Sequence, residues 1–147
     1  MRGATITLRQ CDDSTLPYIE TLLAGNDLPS RGVGSKPERF YVGHDGDDRV
    51  VVGGIEVHGS HGLLRSVVIE DSVRGSGYGT ALCDGLEAEA SAANVETLYL
   101  LTTTAAGFFA DRGYEEIERT NAPAAIQRTA EFDELCPATA VCMKKSL

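Results

Sequence analysis

The sequence predicts an α/β (α+β) domain built on one mixed, mostly antiparallel sheet of about six to seven strands with helices on both faces. Three observations lead there. The 147 residues suit a single domain that buries about two thirds of its unfolded surface, so 1–147 is read as one domain. Three strand-like runs follow one another across tight turns between 39 and 70, the pattern of an antiparallel meander. After them, helical stripes alternate with strand-like segments, so the sheet must also hold crossovers.

The elements follow in order. ATITLRQ (4–10) sets Ile6 and Leu8 against polar neighbours, a first strand. Asp12, Asp13 and Ser14 offer N-caps to a helix with Leu16, Ile19, Leu22 and Leu23 on one face, ending near Gly25-Asn26. DLPSRGVGSKPE is too rich in Gly and Pro to pack well and reads as a short irregular helix or loop of the kind that shapes a substrate entrance. RFYVGHD and RVVVGGIEVHG flank GDD as a hairpin, and HGLLRSVVIED follows the next tight turn. A helix from about Gly77 to Ala93 carries Leu82, Leu86 and Ala90 on one stripe. ETLYLLTT is apolar enough for a central strand, AAGFFADRG is a short helix stopped by Gly113, and YEEIE is a strand. PAAIQRTAEFDEL reads as helical and ATAVCMKK as the closing strand.

Composition narrows the function. Twenty-two acidic against 13 basic residues give a net charge of −9, which argues against a nucleic-acid or anionic-membrane binder. No apolar run reaches the roughly 18 residues of a membrane span, and MRGATITLRQ lacks the apolar core of a signal peptide. A cytoplasmic location is expected. Cys11, Cys83, Cys136 and Cys142 show no CxxC spacing, so no metal site is expected and reduced, partly buried thiols are the default. Cys136 and Cys142 stand six residues apart and would meet only if the chain turned between them.

The most informative stretch is VVIEDSVRGSGYGTALCDGLEAEA (67–90). A strand ending at Ile69 feeds a glycine-rich turn that opens a helix, whose first-turn amides and partial positive charge favour anions. Gly75, Gly77 and Gly79 let backbone approach an anion closely, and Arg74 adds charge at the rim. A P-loop would need a Lys followed by Ser or Thr after the second glycine, and neither is present. A dinucleotide fingerprint would need Gly at position 80, which is Thr80. What remains is R-x-x-G-x-G at Arg74, Gly77 and Gly79. That motif resembles the pyrophosphate loop of the GNAT acetyltransferase superfamily, and TTTAAGFFADRGYEEI resembles the superfamily's next helix and strand with their Gly-aromatic pair, here Gly113-Tyr114. GLLRSVVIE, LYLLTTTAAGFF, APAAIQRTAEF and CPATAVCM resemble the small members associated with arsenic-resistance operons.

The resemblance implies acetyl-CoA as cofactor, in a slot between splayed central strands. Backbone groups of Val67, Val68 and Ile69 would pair with its pantetheine arm like an added strand. Amides of Arg74, Gly75, Ser76, Gly77, Tyr78 and Gly79 would hold the pyrophosphate. Thr80, Thr104 and Phe109 would complete the cofactor site. It also implies transfer of acetyl to an amine by direct attack in a ternary complex.

The acceptor side is read from the residues. Glu56 and His58 lie two apart on a strand and share a face; if Ile55 and Val57 face the core, that face is either plain solvent or the acceptor cleft. Arg65, set in an apolar run, must reach solvent or pair with a carboxylate, either Glu56 or an acidic group on the acceptor. Glu56 is expected to act as general base, with Arg65, His58 and Ser66 binding a small amine. Many GNAT enzymes carry a Tyr four residues before the Gly-aromatic pair as proton donor. Position 109 is Phe, which has no proton to give, so Phe108 and Phe109 are expected in the core and slot wall. That departure motivates a second expectation, a non-catalytic acyl-CoA-binding sensor or partner protein. Edge strands near the C-terminus leave pairing with a second copy open.

Overall fold

The computed structural model describes residues 6–25, 39–46, 48–69, 77–102, 105–128 and 140–147. Among the described residues seven strands, β1 (Thr7–Gln10), β2 (Phe40–Asp45), β3 (Asp48–His58), β4 (His61–Ile69), β5 (Thr97–Thr102), β6 (Glu115–Ile117) and β7 (Val141–Ser146), form one sheet in the order β1-β2-β3-β4-β5-β7-β6. Helices α1 (Leu16–Gly25), α2 (Tyr78–Ala92), α3 (Ala106–Asp111) and α4 (Ala124–Gln127) alternate with them as expected. The one parallel ladder described joins β4 to β5, across the α2 crossover.

The chain divides into two compact units, Met1–Ile55 with Ser66–Ala88, and Glu56–Arg65 with Glu89–Leu147. In the first, α1 starts where the sequence expects. Asp12 Oδ1 accepts hydrogen bonds from the Ser14 hydroxyl at 2.6 Å and from the Ser14 and Thr15 amides at 2.9 and 3.1 Å, and these local bonds, the hydroxyl's first, hold its carboxyl below the usual range. Ile19 and Leu23 are fully buried and pack with Cys11, Phe40, Val42, Val52 and Val68. The β2–β3 register slips at Gly43/His44, leaving Val50 as the extra residue of a bulge. A Cβ on Gly53 would stand 2.8 Å from Leu86, so the glycine lets α2 lie directly on β3.

In the second unit, β5 pairs along its whole length with β7, and β6 completes that edge. Leu63, Tyr99, Ala122, Ile126 and Cys142 make its core. The β4–β5 ladder spans three pairs, His61–Leu63 with Thr97–Tyr99. Gln127 Nε2 donates to the carbonyls of Ala122 and Thr120 at 2.7 and 3.2 Å, fastening α4 to the 3-10 turn at Arg119–Asn121.

Three expectations are corrected. The first strand begins at Thr7 in the described residues, with Ile6 outside it. The helix expected from Pro123 closes after Gln127, with Arg128 as its C-cap, and the remainder of that segment lies outside the described residues. Val57 does not face the core: it is 44% exposed while Glu56 is 5% exposed. Burial of the carboxylate inverts the simple alternation because an ion pair compensates it.

Candidate active site

Glu56 ends the buried run of β3, and Arg65 lies on the neighbouring strand β4 beyond the turn at Gly59-Ser60, where Gly59 takes the left-handed φ of 66° that a residue with a Cβ resists. Arg65 Nη1 donates to Glu56 Oε2 at 2.7 Å, with both side chains under 10% exposed. Such a pair is tolerated because each charge offsets the cost of burying the other. Glu56 Oε1 faces His58 Nε2 at 3.4 Å, and His58 is partly exposed. The carboxylate thus has one oxygen committed to an arginine and the other turned towards an imidazole that reaches solvent.

These residues border a cleft of about 380 Å³ lined by Glu56, His58, Ala125 and Arg128. Glu56 and His58 share a face, as the strand period requires, and both border this cleft. Arg65, paired with Glu56, is not among the lining residues. Ala125 and Arg128 were not anticipated. They lie three apart, hence on one face of α4, but no pattern in AAIQR tells which strand that face meets.

Of the residues expected at the cofactor, Val67 to Thr80 belong to the first unit and Phe109 to the second. Arg74, Gly75, Ser76 and Thr104 lie outside the described residues, as do the side chains of Ser66 and Ile69. Gly77 has φ 85° and offers its carbonyl to the Ala81 amide at 3.2 Å, so α2 begins directly after it. The amides of Tyr78, exposed Thr80 and buried Gly79 occupy the first turn, where a helix has no internal acceptors for them. A phosphate fits that donor set. The Tyr78 hydroxyl donates to Asp45 Oδ2, which pushes its pKa up and pins the start of α2 to the β2–β3 hairpin. Val68 buries its side chain in the first core while Val67 is partly exposed.

Phe109 is 6% exposed and meets the rings of Phe108 and Tyr114 edge-on at 5.1 and 5.4 Å between centroids. It is a packing residue, as expected, whereas Phe108 is 37% exposed and not core. Thr102 Oγ1 accepts a hydrogen bond from the Ala105 amide at 3.0 Å, linking the end of β5 to the residue that caps α3. Cys11, Cys83 and Cys142 are buried and form no disulfide; Cys136 lies outside the described residues. No cluster of His, Cys, Asp or Glu suited to a metal occurs among the described residues, and no described helix is long and apolar enough to cross a membrane.

Known proteins place this architecture. The family model described as acetyltransferase (GNAT) domain matches residues 36–116, more than half of the chain. N-acetylglutamate synthase from Neisseria gonorrhoeae, solved with coenzyme A and N-acetyl-glutamate, superposes with a TM-score of 0.84 at 16% identity, over 99% of this chain and 36% of that one. The chain thus spans about a third of the length of that synthase. Rv2747 from Mycobacterium tuberculosis, in complex with CoA and NLQ, gives 0.81 at 24% identity over 96% and 99% of the two chains. A GNAT-family acetyltransferase from Staphylococcus aureus gives 0.74 at 16% identity over 97% and 99%. The chain belongs to the GNAT acetyltransferase family, whose acyl donor is acetyl-CoA.

Proposed function

We propose that this protein is an acetyl-CoA-dependent N-acetyltransferase that acts as one domain over 1–147 on the amine of a small molecule, by direct attack in a ternary complex. The observation that carries the acceptor side is the buried Glu56 carboxylate at the floor of a small cleft, held by Arg65 and opened to solvent through His58. Bound acetyl-CoA supplies a thioester whose C–S bond breaks as the acceptor nitrogen forms the new C–N bond. Glu56 Oε1 takes the proton that the nitrogen must lose, directly or through a water, and His58 passes it to solvent. Arg65 fixes the carboxylate and adds positive charge beneath an acidic acceptor. Ser66 follows it on β4 as a further acceptor contact. Amides from Arg74 to Gly79 hold the pyrophosphate, the backbone at Val67–Ile69 holds the pantetheine arm, and Thr80, Thr104 and Phe109 border the cofactor. With Phe109 in place of a hydroxyl donor, the departing thiolate takes its proton from water.

The finer reading is a detoxifying enzyme of the arsenic-resistance-associated kind, working in the cytoplasm. It is supported by the sequence blocks that resemble those proteins; no residue encodes arsenic. Glu56→Gln is expected to lower CoA release over an amine panel by about 10²- to 10⁴-fold while leaving calorimetric CoA binding intact. Wild-type turnover in that variant refutes the assignment. The missing donor at Phe109 favours one second reading, a non-catalytic acyl-CoA sensor, for which acetyl-CoA binds but no amine on the panel releases CoA.

A further inference from the structure

Arg128 stands apart from the other groups of the cleft. Glu56 is engaged by Arg65 and His58, yet Arg128 is exposed and makes no ion pair or side-chain hydrogen bond among the described residues. Its place is nevertheless fixed. Ile126 is fully buried, Gln127 is bonded to two carbonyls, and the Arg128 amide closes α4 on the Ala124 carbonyl at 3.0 Å. A helix of four residues carries too small a dipole for a C-terminal cation to serve it. A guanidinium with no partner among the described residues, on a fixed backbone at the cleft, can receive an anionic group.

We infer that Arg128 binds a carboxylate of the acceptor, and that the acceptor class is the free α-amino acid or a close analogue. This rests on the acetyltransferase reading and deepens it. The cleft pairs an anion, Glu56, suited to the amine, with a cation, Arg128, suited to the acid. A volume of about 380 Å³ lies at the small end of ligand sites and has room for an amino acid.

The test uses the full chain saturated with CoA, titrated calorimetrically with the twenty common L-amino acids and with their carboxamides, which keep the amine and lose the charge. At least one free acid is expected to bind about 10- to 100-fold more tightly than its amide, the usual worth of a charge-assisted pair. Arg128→Ala is expected to erase that preference, Arg128→Lys to keep part of it, and Glu56→Gln to retain it; CoA affinity serves as the control for folding. Equal binding of acids and amides, binding of neither, or an unchanged preference in Arg128→Ala overturns the inference. CoA release then separates the two readings. Acids that bind selectively without release leave the carboxylate site standing and remove the acetyltransferase. Amides acetylated as well as acids keep the acetyltransferase and remove the carboxylate site.

Discussion

The Glu56–Arg65 contact at 2.7 Å, with both side chains under 10% exposed, makes each residue's burial depend on the other. Replacing Arg65 alone strands a carboxylate in the protein interior, a loss that typically amounts to about 3–5 kcal/mol. Arg65→Met is therefore expected to lower urea stability by that order, and Glu56→Gln/Arg65→Met to recover most of it, since the polar pair is replaced by neutral groups of similar size. A single variant as stable as the parent, or a double variant no better than the single, contradicts the coupling. The Glu56–Arg65 pair was one of the two alternatives open in the sequence, because an arginine inside an apolar strand must reach solvent or find a carboxylate. Arg128 was not legible there: an exposed arginine after a short helical run is ordinary, and its meaning comes only from what the fold sets opposite it.

At the level of elements, strands and helices with strong periodicity are legible, and those whose limits depend on tertiary partners are not. The stripe Leu82, Leu86, Ala90 is buried as its spacing requires, because each leucine contributes about 1.5–3 kcal/mol on leaving water. α4 closes after Gln127 although its sequence favours a longer helix, and β3 exposes Val57 because Glu56 takes the inward place. Glycines show the same divide. A Cβ on Gly62 would lie 2.8 Å from Leu98 and 3.0 Å from the stiff Val95, whereas one on Gly107 meets nothing within 4 Å. Gly62→Ala is thus expected to cost about 1–3 kcal/mol by overpacking the start of β4. Gly107→Ala, on the open face of α3, is expected to gain about 0.5–1 kcal/mol from helix propensity. Thermal unfolding of the two variants checks the contrast; equal shifts would mean that local propensity, not packing, decides both.

For the whole molecule, buried acids set how stability changes at high pH. Burial pushes the Cys142 thiol from its ordinary 9.0 up to about 11, with Arg119 pulling the other way, and burial also raises Cys11 and Tyr99. Each of these groups is neutral when protonated, and each folded value lies above the unfolded one. Their stabilisation is complete below the unfolded values and is lost as pH climbs, for Cys142 between about 9 and 11, because the unfolded chain releases its proton first. Two pH units for Cys142 correspond to about 2–3 kcal/mol. A net charge of −9 pushes the same way, since each further ionisation adds to self-repulsion. Salt distinguishes the two causes: repulsion between exposed charges is screened within about 10 Å at 0.1 M, while the penalty for a buried thiolate is not. Urea stability measured from pH 8 to 10.5 is therefore expected to fall steeply, to keep most of that slope in 0.5 M KCl, and to fall less steeply in Cys142→Ala, which starts from a lower value because it leaves a cavity. A slope that salt abolishes would assign alkaline sensitivity to the acidic surface and leave the buried thiol without a part in it.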